Sequence, residues 1–110
     1  MKNSFDEKIL EEARDWLQAK RKVVLATVIN TWGSSPRPIG SRMIVNEKGD
    51  FSGSVSGGCV ETAVVRESME LLLKNNNFKK IEFKVSNESA WGVGLACGGE
   101  IEIFLEKFTK

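Results

Sequence analysis

The chain has 110 residues, 41% hydrophobic and 28% charged, enough for one domain with a real core and too few for two. A net charge of +1 gives no general attraction to nucleic acid or anionic lipid, and no apolar run nears the ~20 residues of a membrane span. Histidine is absent, which removes Ser-His and Cys-His nucleophile systems and every His-containing zinc site.

Ser4 followed by Glu7 fits a capping box, and Phe5, Ile9, Leu10, Ala13, Trp16 and Leu17 form the apolar stripe of a first helix. A start that leads into an amphipathic helix is unlike a signal peptide, so a cytoplasmic protein is expected. Lys20, Arg21 and Lys22 load the C-terminal end of that helix with favourable charge. Residues 23–29 are a continuous apolar run rich in β-branched side chains. Such a run predicts a central strand with both sheet faces covered. Residues 42–45 and 51–55 flank the polar turn 46–50 and predict a hairpin. A second helix is expected from near Gly58 to about Lys74, with Val60, Ala63, Val64, Leu71 and Leu72 inward and Asn75-Asn76-Asn77 ending it. Ile81, Phe83 and Val85 alternate with charge, as do Ile101, Ile103 and Leu105, which marks two half-buried strands. The predicted fold class is α/β: a small single domain with a mixed sheet of about five strands and two principal helices. Trp16, Leu25, Val28, Val64, Leu71, Phe83 and Ile103 are its expected core.

Three loops are richer in special residues than connection alone requires. The first, residues 31–40, follows the presumed central strand, where ligands collect in open α/β sheets. Its Ser34, Ser35 and Arg37 offer hydroxyls and a planar guanidinium suited to phosphate or carboxylate. A proline-stiffened turn with an exposed arginine fits the same residues. The second, Ser56-Gly57-Gly58-Cys59-Val60-Glu61, resembles an anion cradle in front of a helix. A helix dipole there favours the Cys59 thiolate. A capped helix start with Cys59 as a small packing residue is the competing account. Glu61 is either part of that cap or a carboxylate facing the site. The third loop, residues 91–99, ends in Cys97-Gly98-Gly99. Its Gly92-x-Gly94 fails the dinucleotide fingerprint, because Cys97 stands where a third glycine belongs and a strand follows. Trp32 and Trp91 either wall a planar ligand or pack across the adjacent glycine. The two cysteines are expected to be reduced, and chemistry is left to thiols, carboxylates, backbone amides, arginine or a bound cofactor.

Gly33-Ser34-Ser35-Pro36-Arg37, Gly40-Ser41-Arg42-Met43, Ser56-Gly57-Gly58-Cys59-Val60-Glu61 and Cys97-Gly98-Gly99-Glu100-Ile101 occur in that order along the chain. Together they resemble the N-terminal domain of the XdhC/CoxI family over nearly the whole length, 1–110, without the C-terminal Rossmann-like domain that many relatives carry. The resemblance implies a chaperone that binds molybdenum cofactor (molybdopterin). Such a chaperone protects the cofactor while a cysteine desulfurase supplies sulfur, and delivers it to a molybdenum hydroxylase apoenzyme such as xanthine dehydrogenase. Ser34, Ser35, Arg37, Gly57, Gly58, Cys59, Glu61, Cys97, Gly98 and Gly99 are then the cofactor-binding candidates, with Cys59 and Cys97 as metal ligands. A separate Rossmann-domain protein or a homo-oligomer is the expected way to complete such a site, and a carrier is expected rather than a catalyst. Two other readings stand beside it. One is a thiol-dependent sulfur-relay or redox enzyme using Cys59 and Cys97. The other is an interaction subunit that binds no ligand.

Overall fold

A computed structural model describes residues 4–32, 39–55, 60–84 and 100–108. In chain order the elements are α1 (Ser4–Gln18), β1 (Val23–Trp32), β2 (Arg42–Asn46), β3 (Phe51–Gly53), α2 (Glu61–Leu73), β4 (Phe78–Lys84) and β5 (Glu100–Phe108). The strands form one sheet in the order β3-β2-β1-β5-β4. An α/β domain with two helices and five strands is what the sequence predicts. The pairing differs: every ladder is antiparallel, where a mixed sheet was expected. The apolar run at the start of β1 fits burial on both faces, and burial says nothing about the direction of neighbouring strands.

Residues 23–28 of β1 alternate between two cores. Val23 and Leu25 join Ile9, Ala13 and Ile44 under α1, with Trp16 and Leu17 half-buried against them. Val24, Ala26 and Val28 join the larger core under α2, with Met43, Val45, Val55, Val64, Leu71, Phe83, Ile101, Ile103 and Leu105. One helix therefore covers each face, and α1 lies over the β1–β2–β3 half of its side. Six of the seven expected core residues are buried, and Trp16 is the half-buried exception. Leu10 is also less buried than its stripe suggested, at 43% exposed, because it sits one step round the helix from Ile9.

The turns have identifiable causes. α1 ends in a Schellman arrangement, with the Arg21 N–H donating to Trp16 O at 2.9 Å and the Lys20 N–H to Leu17 O at 3.0 Å. Lys20 takes the left-handed position at φ +63°, so it terminates the helix and no basic residue lies in the last helical turn. The β2–β3 turn is organised by fully buried Asn46. Its Oδ1 accepts from the Lys48 N–H at 2.9 Å and the Asp50 N–H at 3.1 Å. α2 starts at Glu61, later than the expected Gly58, with Val60 as N-cap residue and no side-chain capping bond. No helix is long and apolar enough among the described residues to cross a membrane.

Candidate functional site

The strand registers bring the attachment points of the three unusual loops to one end of the sheet. β1 runs out past Trp32, which pairs with Glu100 at the start of β5. Lys84, the last residue of β4, pairs with the same Glu100. Arg42 begins β2 opposite Thr27, and Gly53 ends β3 opposite Met43. Segments 33–38, 56–59 and 85–99 thus all leave from, or return to, this end. The α1–β1, β2–β3 and α2–β4 turns occupy the other. An antiparallel sheet has no common carboxyl end, so the crevice expected from parallel α/β folds is replaced by a loop-bearing end with strand termini of both polarities. Ser34, Ser35, Arg37, Gly57, Gly58, Cys59, Cys97, Gly98 and Gly99 lie outside the described residues, as do Trp91, Val85 and the Trp32 side chain.

Glu61 is the candidate site residue that is described. It is the first residue of α2 and only 7% exposed. Its Oε2 accepts a hydrogen bond from the Ser54 hydroxyl at 2.7 Å and another from the buried Val55 N–H at 2.9 Å. The cap is therefore unlike a capping box: the carboxylate reaches back across the loop to the strand that precedes it. Val55 and Val60, which flank residues 56–59, are themselves in the core at 0% and 2% exposed. Both ends of the Cys59 loop are consequently held by packing, and one carboxylate joins them.

A second polar group near this end was not legible as such. β1 carries one extra residue between Val28, opposite Ile103, and Asn30, opposite Glu102, a β-bulge at Ile29. Beyond the bulge Asn30 Nδ2 donates to Glu102 Oε1 at 3.0 Å, and Lys80 Nζ lies 3.4 Å from Glu102 Oε2. The Asn30 hydrogen bond, helped by Lys80 and opposed by burial, holds the Glu102 carboxyl below the ordinary value of 4.5. In the sequence Glu102 reads as the outward member of an alternating strand, yet it is only 8% exposed. Its signal would have been the polar Asn30 closing an apolar strand. On the loop side, the Gly40 N–H donates to Val28 O at 2.8 Å and the Val28 N–H to Ser41 O at 2.9 Å, which seats the return into β2. Among the described residues the Arg42 Nε is buried without a hydrogen-bond partner, and no cluster of three acidic or thiol groups could hold a metal ion.

The family model of the XdhC and CoxI family matches residues 16–83. A relative from Escherichia coli K12, named molybdenum cofactor insertion chaperone PaoD, is 36% identical over 103 residues, covering 93% of this chain and 31% of the relative. A relative from Bacillus subtilis, named as a probable subunit of xanthine dehydrogenase, is 30% identical over 95 residues, covering 86% of this chain and 29% of its own. Among solved structures, a xanthine dehydrogenase from Bacillus halodurans superposes with a TM-score of 0.72 at 30% identity, covering 89% of this chain and 30% of that one. The chain thus spans about a third of the length of each of these proteins.

Proposed function

Because the chain belongs to the XdhC and CoxI family, we propose that it serves the maturation of a molybdenum hydroxylase, holding molybdenum cofactor and passing it to the apoenzyme. The observation that carries this reading is the shared end of the sheet. The loops bearing Ser34, Ser35 and Arg37, then Gly57, Gly58 and Cys59, then Cys97, Gly98 and Gly99, are attached to adjacent strand termini. Their donor set fits the cofactor in kind. Arg37 and the glycine amides suit the phosphate, and two thiols suit a soft, sulfur-ligated metal. Among the described residues the buried Arg42 Nε has no hydrogen-bond partner, and Arg42 begins β2 at this end. Bound there, the cofactor would supply the sulfur-ligated molybdenum centre that the client enzyme uses.

A cysteine desulfurase is the source of sulfur in this reading. On the same reading a Rossmann-like domain or a second copy of the chain closes the site. The test is retention of molybdopterin released from a purified molybdenum enzyme. The chain should co-elute with pterin and molybdenum. Arg37→Ala should weaken retention about tenfold, the loss typical of a charged hydrogen-bond pair, with the thermal transition kept. Cys59→Ser or Cys97→Ser should lower retained molybdenum. Failure of the wild-type chain to retain cofactor, or equal retention by all three variants, overturns the reading. A persulfide forming on either cysteine without cofactor would point to sulfur relay instead.

A further inference from the structure

We propose that Glu61 is a positioning residue: its buried carboxylate ties Ser54 and Val55 to the first turn of α2 and so sets the span of the loop that carries Cys59. The inference rests on the proposed function in one respect, that Cys59 belongs to the site. The geometry stands independently. A single oxygen, Oε2, accepts from two consecutive residues at 2.7 and 2.9 Å, seven and six positions back along the chain. The Val55 N–H is buried, so without this acceptor it loses its only described partner. Val60, the N-cap residue, carries no side-chain oxygen and makes no capping bond, so the helix start relies on its first residue instead.

The loop is short, and its two ends are defined to within a hydrogen bond. On the strand side Gly53 turns the chain at φ +93°, and the Ser54 N–H donates to Arg42 O at 3.1 Å. On the helix side the Val64 N–H donates to Val60 O at 2.9 Å, closing the first turn. Glu61 is the link between these two anchored ends. A carboxylate at the first position of α2 also lies with the favourable end of the peptide dipoles. In this proposal its effect on a ligand is exerted through the spacing of the loop's two anchored ends, Val55 and Val60.

The test separates geometry from charge. Glutamine keeps an oxygen able to accept both hydrogen bonds and removes the charge, whereas alanine removes both. In the full chain, amide hydrogen exchange of Val55 should rise about three- to tenfold in Glu61→Ala, the equivalent of one hydrogen bond. It should return to within about twofold of the parent in Glu61→Gln. Ser54→Ala, which removes one of the two donors and leaves the carboxylate, should give a smaller local rise and serves if Glu61→Ala does not fold. Retention of molybdopterin released from a purified molybdenum enzyme should fall in Glu61→Ala and be rescued in Glu61→Gln. Unchanged exchange in Glu61→Ala and Ser54→Ala overturns the proposal. So does a Glu61→Gln variant that loses cofactor while Val55 exchanges normally, because Glu61 would then be a ligand. If the wild-type chain holds no cofactor at all, the functional reading fails and the exchange arm still decides the role of Glu61.

Discussion

Gly53 is the residue at which β3 gives way to the loop carrying Cys59, and its backbone explains why no other residue suits that point. Its φ is +93°, and a Cβ there would stand 2.5 Å from Arg42 O, 2.7 Å from Ile9 Cδ1 and 3.0 Å from Met43 Cα. The closest neighbour is backbone in a paired strand and cannot swing aside. Gly40 supplies the comparison, with the same φ of +93° but no described atom within 4 Å of its added Cβ. Gly53→Ala should therefore cost about 2–4 kcal/mol, combining left-handed strain with overpacking. Gly40→Ala should cost only the strain, about 1–2 kcal/mol. Urea unfolding of the two variants measures the difference. Equal losses would show that the contact with Arg42 O relaxes freely. The sequence marks these glycines as candidates for unusual backbone but does not rank them. The ranking comes from the neighbouring strand β2 and from α1.

At the scale of elements, the cross-strand group on β1, β4 and β5 makes one acid-sensitive joint. Asn30 and Lys80 both reach Glu102, which lies beside the exposed Glu82 in the β4–β5 ladder. Glu102 has its carboxyl held below 4.5 in the folded chain, first by Asn30 and then by Lys80. A depressed carboxylate contributes stability that is present above its unfolded value and is lost as pH falls through the lower folded value. Stability should thus decline below about pH 4.5 with a part assignable to this group. Glu102→Gln should flatten that part of the acid limb. An unchanged limb in Glu102→Gln would remove the joint from the account. Much of the element pattern is legible in advance, because burial writes itself as period. Ile81 and Phe83, and Ile101, Ile103 and Leu105, point to the α2 core as their alternation implies. What escapes is whatever depends on partners distant in sequence. The antiparallel pairing of β5 between β1 and β4, the bulge at Ile29 and the burial of Glu102 all follow from strand order, which period does not encode. Glu61 shows the same limit at the site. Its place at the helix start was readable, but its choice of Ser54 and Val55 as partners needed the fold.

Across the whole molecule, one sheet separates two cores of unequal size, and that inequality predicts how the chain opens. Beneath α1 only Ile9, Ala13, Val23, Leu25 and Ile44 are buried among the described residues, whereas the α2 side buries residues from β1, β2, α2, β4 and β5 together. Ile9, 1% exposed, is a large α1 side chain fully committed to the smaller core, and its Cδ1 also lies against Gly53. Ile9→Ala should cost about 2–5 kcal/mol. The loss should appear first as local opening, because α1 is tied to the sheet by few buried groups while the larger core keeps its own contacts. Hydrogen exchange should therefore accelerate at the amides of α1 while residues 64–71 of α2 and 101–105 of β5 retain their protection. Leu71→Ala, made in the larger core, should instead lower protection in α2, β1 and β5 together. The two cores share β1, with Val23 and Leu25 facing one and Val24, Ala26 and Val28 the other, so transmission through that strand is the competing outcome. Equal acceleration in α1, α2 and β5 on Ile9→Ala would show a single cooperative unit. Loss confined to α1 would leave β5, β4 and α2 holding the roots of the Cys97 loop and the helix side of the Cys59 loop, while the strand side at Gly53 loses its Ile9 neighbour.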